Sequence, residues 1–146
     1  MDKIIIYSDG GSRGNPGPAG IGVVIDGKAE ISKCIGTATN NQAEYTAVIE
    51  ALKWVLENSN RSNPTYEVGF GEPDNNLKIE LFLDSQLVVE QLNQRYKLKN
   101  EGLKPLFNQI QELIGKIGGK VTFSHIPREK NVKADKLVNK ALDEAK

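Results

Sequence analysis

The sequence predicts a single-domain α/β protein, and three observations support this prediction. The chain has 146 residues, a length that normally folds around one hydrophobic core. Hydrophobic residues make up 38% of it and charged residues 26%, as in ordinary soluble globular domains. Short apolar runs of strand length alternate along the chain with longer segments whose apolar residues recur at helical spacing. We therefore expect one domain over residues 1–146, with helices packed on a sheet.

Three strands are predicted in the N-terminal part of the chain. The apolar run that begins at Ile4 ends at Asp9, where a loop rich in glycine and proline follows. Gly20–Asp26 is the second strand candidate, Asp26-Gly27 is a hairpin signal, and Glu30–Gly36 alternates as a third strand. Consecutive short strands of this kind predict an antiparallel meander.

A helix is predicted from Asn40 to about Asn58, because its apolar residues recur on one face at helical spacing. Asn41 and Glu44 stand three residues apart near its start, which is the spacing of a capping box. That box would explain Glu44 without any functional role. Residues 59–76 are rich in Ser, Asn, Pro and Gly, and we interpret them as a surface insertion with a candidate hairpin at 66–70.

The second half of the chain predicts further alternation of strands and helices. Leu77–Asp84 alternates and ends on an aspartate, as the first strand does. Asp84-Ser85 is a plausible N-cap for the next helix, and capping alone would explain Asp84 as well as a function would. Lys120–Ile126 is the last predicted strand. Asn131 is predicted to cap the final helix, and Asp135 lies in its first turns, where the helix dipole favours an anion with or without a function.

Charge and cysteine content limit the classes of function. The chain carries 19 basic and 19 acidic residues, which argues against an indiscriminate polyanion binder but allows local basic patches such as 95–100. The single Cys34 excludes a disulfide framework and is typical of a reducing, intracellular setting, so we expect a cytoplasmic protein. No segment resembles a signal peptide, and no apolar run approaches the roughly 18 residues of a membrane span. No membrane partner is therefore expected.

Four acidic residues occupy comparable places at the ends of predicted elements. Asp9 and Asp84 end two strands, and Glu44 and Asp135 lie near the starts of two helices. If the two strands are neighbours, their carboxylates emerge at one sheet edge, where the helix starts could join them. Four anions in one site require divalent cations. Oxygen-only ligands favour Mg²⁺ or Mn²⁺ over Zn²⁺.

Four motifs in chain order resemble type 1 ribonuclease H. They are Tyr7–Ser12 with Gly14–Gly17, Thr39–Glu44, Asp84–Val88, and Arg128–Asn131 with Ala134-Asp135. The likeness covers nearly the whole chain apart from the insertion at about 59–76. It implies a ribonuclease H-like fold, a five-stranded mixed sheet with its first three strands antiparallel and with flanking helices. It also implies endonucleolytic hydrolysis of the RNA strand of an RNA–DNA hybrid, leaving 5′-phosphate and 3′-hydroxyl ends.

The resemblance assigns the four carboxylates to two Mg²⁺ ions, for which Mn²⁺ is an expected substitute. Asp9 would bridge the ions, Asp135 would complete the site that activates the attacking water, and Glu44 and Asp84 would hold the other ion.

The resemblance further implies contacts to a hybrid duplex through its wide minor groove. The residues expected on the RNA side of the groove are Gly10, Ser12, Asn15 and Gln42. Asn40 and Asn41 are expected at the groove floor. Thr39, Lys99 and Asn100 are candidates for holding a DNA phosphate.

Two departures from the family pattern bear on these expectations. The chain has only residues 95–104 where many relatives carry a long basic protrusion, as in a compact bacterial or archaeal form, so we expect modest, salt-sensitive affinity. Counting back from Asp135 aligns His125 with the mobile histidine of the family. Matching the local His-Ile-Pro sequence, which we favour, places His125 at a strand end and makes Arg128 the candidate for the phosphate-facing role.

The main alternative is a non-catalytic module of the same fold that binds RNA–DNA hybrids. Such a module would be expected to lose at least one carboxylate, whereas all four are present. A structure-selective DNA nuclease would share the acidic cluster but not the paired asparagines. We expect a monomer without an obligate protein partner.

Overall fold

The computed structural model describes residues 3–59 and 77–145. The predicted insertion, apart from its first residue Ser59, and its candidate hairpin lie outside the described residues. The secondary-structure elements follow in the order β1 (Lys3–Ser12), β2 (Gly17–Ile25), β3 (Ala29–Ala38), α1 (Asn40–Asn58), β4 (Lys78–Leu83), α2 (Gln86–Leu92), α3 (Lys104–Ile117), β5 (Lys120–His125) and α4 (Val132–Glu144), with a single 3₁₀ turn at Arg128–Lys130 before α4.

Within the described residues, five strands form one mixed sheet in the order β3-β2-β1-β4-β5. β1 pairs antiparallel with β2, and β2 with β3, because short connections join them. β4 runs parallel to both β1 and β5. Helix α1 lies in the connection that leads to β4, and α2 and α3 lie in the connection from β4 to β5. The expected mixed sheet with three antiparallel leading strands is confirmed.

β1 is longer than the sequence predicted. The strand does not end at Asp9 but continues to Ser12, which pairs with Ala19 of β2. Gly10 and Gly11 do not break it, because a glycine still offers its backbone N–H and C=O to the ladder. The parallel pairing with β4 stops earlier, at Tyr7 and Phe82. Asp9 therefore lies inside β1, yet at the edge where β4 has ended.

Helices cover the two faces of the sheet. α1 packs against β1 and β2, and α3 packs against α1. α4 packs on the opposite face, against β2 and β3. The residues of β2 show this, because neighbouring side chains of a strand point to opposite faces. Ile21 and Val23 belong to the core under α1, whereas Gly20 and Gly22 contact α4. No helix in the described part of the chain is long and apolar enough to cross a bilayer.

The capping interactions differ from two of the predictions. Thr39, not Asn41, is the N-cap of α1: its hydroxyl accepts from Gln42 N–H at 3.1 Å, and Gln42 Oε1 accepts from Thr39 N–H at 2.9 Å. The predicted box of Asn41 and Glu44 was wrong because Asn41 already lies inside the helix, which begins at Asn40, and Glu44 lies one turn further on. Ser85 caps α2 with its side chain. Asn131 precedes α4, but its side chain makes no capping hydrogen bond.

Candidate active site

Three of the four predicted carboxylates converge at the edge of the sheet where β4 ends. Asp9 lies on β1, Glu44 lies in the first turns of α1, and Asp84 is the residue that directly follows β4. One carboxylate oxygen of each lies within 4.8 Å of the other two. Asp9 and Glu44 are buried, with only 8% and 6% of their surface exposed, whereas Asp84 is half-buried.

The close contact between β1 and α1 depends on Gly10. A Cβ atom at this position would lie 2.3 Å from the carbonyl carbon and oxygen of Ala43 and 2.6 Å from the nitrogen of Glu44. Without a side chain, the strand and helix backbones touch. Gly10 N–H then donates to Asp9 Oδ1 at 2.9 Å and to Glu44 Oε1 at 3.2 Å. One backbone group thereby orients two carboxylates.

Asp135 lies in the first turns of α4, on the exposed side of the same cleft. It is outside the tight group of three carboxylates. The carboxyl of Asp135 is nonetheless close enough to that of Asp9 to raise the pKa of Asp9, through its charge and through a hydrogen bond. Gly22, which pairs with Asp9 across the ladder, allows this approach: a Cβ there would lie 2.1 Å from Ala134 O.

The crowding of these carboxylates changes their proton affinity. Burial, and after it the charges of Asp84 and Asp135, raises the pKa of Asp9 to about 8, although the hydrogen bond from Gly10 opposes the shift. Burial also raises the pKa of Glu44 well above its usual value, with Asp9 and Asp84 adding to the effect. Arg128 opposes that shift. The cluster thus favours protons, or cations, that reduce its negative charge.

The carboxylates line an open cleft of about 440 Å³. Its remaining lining residues come from β1 and the residue after it, the start of α1, the α2 cap, the 3₁₀ turn and α4: Gly10, Gly11, Ser12, Arg13, Asn40, Asn41, Ser85, Arg128, Val138, Asn139 and Leu142.

A hydrogen-bonded network fixes the rim of this cleft beside β1. Ser12 N–H donates to Asn40 Oδ1 at 2.9 Å, and Asn40 N–H donates to Asn15 Oδ1 at 3.0 Å. The loop after β1 is therefore tied to the start of α1. Of the predicted contacts to the RNA strand and groove floor, the cleft lining includes Gly10, Ser12, Asn40 and Asn41, but not Asn15 or Gln42.

The predicted phosphate-holding residues lie around the start of α1 rather than on the cleft wall. Thr39 caps the helix, and Gln42 is its capping partner. Gly102 lies next to Gln42, since a Cβ on this glycine would be 3.3 Å from Gln42 Nε2. Asn100 Oδ1 accepts from Gly102 N–H at 2.7 Å, and both Lys99 and Asn100 are exposed. This groups Asn100 with Thr39 and Gln42.

Arg128 and His125 occupy different surroundings. Arg128 lies on the 3₁₀ turn and lines the cleft. His125 is the exposed last residue of β5, as the local alignment predicted, and it is not among the cleft-lining residues. It lies near α2, where Arg95 chiefly, and His125 to a smaller extent, lower the pKa of Glu90.

Sequence reasoning missed several residues at the cleft. Arg13 lines it and forms an ion pair with Asp143 at 2.7 Å. Asn139 lines it and donates to the backbone oxygen of Asp135 at 3.1 Å. Asn139 stands four residues after Asp135, so helical spacing could have indicated it. Nothing in the local sequence distinguished Arg13 from an ordinary loop residue.

The fold and acidic cleft define an α/β protein of the ribonuclease H-like class. The sequence profile of the RNase H family matches residues 1–143. Ribonuclease HI of Halobacterium salinarum is 40% identical, over 98% of this chain and 66% of its own length. A bifunctional protein of Mycobacterium tuberculosis is 38% identical over 98% of this chain, but the chain spans only 36% of that relative.

Solved structures agree with the sequence comparisons. LC11-RNase H1, isolated from compost by a metagenomic approach, superposes with a TM-score of 0.82 at 44% identity, covering 99% of both chains. The same protein in complex with an RNA/DNA hybrid gives a TM-score of 0.81 at 43% identity, over 97% of this chain and 98% of that one. The chain belongs to the RNase H family, as a type 1 member.

Proposed function

We propose that this protein is an endoribonuclease that hydrolyses the RNA strand of RNA–DNA hybrids with the help of two divalent cations. The products would carry 5′-phosphate and 3′-hydroxyl ends. The observation that carries the proposal is the convergence of Asp9, Glu44 and Asp84 within 4.8 Å, with Asp135 beside them, in an open cleft. The bound hybrid of the similar LC11-RNase H1 supports the choice of substrate.

The donor set fits Mg²⁺. All the side chains that converge are carboxylates, which suit hard cations, and no Cys or His belongs to the group. The raised pKa values of Asp9 and Glu44 indicate a site with too much negative charge for its burial. We assign Asp9 to both cations, Asp135 to the first, and Glu44 and Asp84 to the second. Bound in this way, the cations would supply an activated water for in-line attack and stabilise the leaving 3′-oxygen.

The chain's own residues would bind and orient the hybrid. Ser12, Asn40 and Asn41 offer amide and hydroxyl groups on the cleft, and such groups can read sugars and the minor groove with little base preference. The ties among Ser12, Asn15 and Asn40 keep these groups in place before substrate binds. Arg128 presents a cation to the same cleft and would attract a phosphate of the RNA strand.

The test is cleavage of an end-labelled RNA–DNA hybrid by the metal-free protein to which Mg²⁺ or Mn²⁺ is added back. We expect cutting of the RNA strand only, with end groups that a ligase and a phosphatase distinguish. Double-stranded RNA and double-stranded DNA of the same sequence serve as controls. Binding of the hybrid without cleavage at any metal concentration would contradict the proposal and favour the alternative, a non-catalytic hybrid-binding module.

A further inference from the structure

Asn131 is a buried polar residue at the start of α4, with 1% of its surface exposed. The sequence predicts a helix cap at this position, and the side chain does not act as one. Its Nδ2 group instead donates to two acceptors, Ser8 O at 2.9 Å and Asp84 Oδ2 at 3.0 Å. Both acceptors belong to the edge of the sheet that carries the carboxylates.

The orientation of this amide follows from its two acceptors. A reversed amide would turn an oxygen toward a carbonyl and a carboxylate, so the nitrogen must face them. The amide oxygen is left buried without a hydrogen-bond partner. An unsatisfied buried acceptor is costly, and its presence indicates that the contacts of the nitrogen determine the placement of the side chain.

The same residue also contacts the segment of the fourth carboxylate. The backbone oxygen of Asn131 accepts from the N–H of Asp135 at 3.1 Å, one helical turn onward. Ser8, whose carbonyl accepts from the side chain, directly precedes Asp9. Asn131 therefore connects the backbone beside Asp9, the side chain of Asp84 and the backbone of Asp135.

We infer that Asn131 is a positioning residue for the metal site: its amide holds the Asp84 carboxylate and fixes the start of α4 against β1 and β4, so that Asp84 and Asp135 face the same cations as Asp9. The inference rests on the proposed function. Groups that orient a metal ligand without touching the metal commonly change metal affinity or activity by about 10-fold to 100-fold when they are removed.

The test compares Asn131→Ala with Asn93→Ala. Asn93 makes a similar link between α2 and β5, its Nδ2 donating to Phe123 O at 3.1 Å, and neither residue lines the cleft. Both variants lose buried or half-buried amide bonds, and we expect both to melt at lower temperature. Calorimetric titration of the metal-free proteins should show Mg²⁺ affinity lowered about 10-fold or more in Asn131→Ala. Affinity in Asn93→Ala should stay at the wild-type value. At saturating hybrid, kcat should fall with KM little changed, because the loss is in the metal site.

A second measurement uses the unmodified protein and does not depend on a variant that folds. In a nitrogen-edited NMR titration, the side-chain amide signals of Asn131 should shift with the same Mg²⁺ midpoint as the carboxyl carbon of Asp84. The amide of Asn93 should not shift.

The outcomes separate this inference from the function on which it rests. A wild-type protein that binds no Mg²⁺ overturns the proposed function and this inference with it. The inference alone is overturned if the wild type binds Mg²⁺ and Asn131→Ala binds it with equal affinity. It is also overturned if the wild type binds Mg²⁺ and the amide signals of Asn131 do not shift with the metal.

Discussion

The four carboxylates of the cleft form two pairs that are held in different ways. The inner pair, Asp9 and Glu44, is buried and is oriented by the backbone N–H of Gly10. The outer pair, Asp84 and Asp135, is more exposed, and the contacts that fix it run through Asn131. The inner pair thus depends on main-chain packing. In the outer pair, Asp84 depends on the side-chain amide of Asn131, and Asp135 on the backbone oxygen of Asn131 and on the packing of Gly22 against α4. Burial is also the largest cause of the raised pKa values of the inner pair.

The largest expected effect comes from removing the central charge of the inner pair. Asp9→Asn keeps the size of the side chain but should lower kcat by about 10³-fold or more, because metal stabilisation of the transition state is worth several kcal/mol. Asp135→Asn, at the exposed rim, should lose less. Single-turnover cleavage at saturating Mg²⁺ measures both. Equal losses in the two variants would contradict the distinction between inner and outer pairs.

A matched pair of glycine substitutions tests the backbone contacts behind each pair. Gly10→Ala would force α1 away from β1, and Gly22→Ala would force α4 away from β2, since the added Cβ atoms would lie 2.3 Å and 2.1 Å from backbone atoms. Each should lower the free energy of unfolding by about 1–3 kcal/mol, as overpacking does. Mg²⁺ affinity should fall in both, measured by calorimetry beside urea denaturation.

Gly115→Ala is the control for these two substitutions. Gly115 lies inside α3, and an added Cβ would have no neighbour within 4 Å. Alanine there should raise the free energy of unfolding by about 0.5–1 kcal/mol, because glycine disfavours the helix. Hybrid cleavage should be unchanged. Stabilisation by Gly10→Ala as well would show that the backbones do not touch as described.

The burial of the inner pair also predicts a pH dependence of stability in the metal-free protein. Asp9 has a pKa of 3.8 as an ordinary carboxyl and about 8 in the folded chain, so the folded state holds the extra proton between these values. The contribution of Asp9 to stability should therefore be fully present below about pH 4 and be lost as the pH rises toward 8. Denaturant unfolding of wild type and Asp9→Asn measures it, and the variant should show a shallower decline. A wild-type protein that grows more stable from pH 5 to pH 8 would contradict the raised pKa.

The smallest expected effect concerns Arg128 and His125, the two residues considered for a phosphate-facing role. Arg128→Ala should weaken hybrid binding several-fold and reduce the slope of log affinity against log salt by about 1, the signature of one lost phosphate contact. His125→Ala should do less, because His125 lies near Glu90 of α2 rather than on the cleft. Filter binding from low to moderate salt compares the two. A larger loss in His125→Ala would favour the alignment with the mobile histidine of the family.

Much of the fold followed from the sequence because its signals are local. Alternation, helical spacing and turn residues predicted the strands and helices, and only boundaries were wrong, as at β1 and at the cap of α1. The acidic residues were also visible, but each had an equally good local explanation as a cap or turn residue. Their order along the chain, matched to a family, indicated the site.

The sequence by itself determined the elements, the class of fold and the acidic residues able to bind a hard cation. Only the tertiary structure decided which groups hold these residues in place. Gly10 and Gly22 act by the absence of a side chain, which matters only once α1 and α4 press against the sheet. The sequence predicted Asn131 to be a helix cap, whereas in the structure its side chain links the start of α4 to Ser8 of β1 and to Asp84 after β4. Its two acceptors lie 123 and 47 residues away along the chain, and no local pattern records contacts of that range.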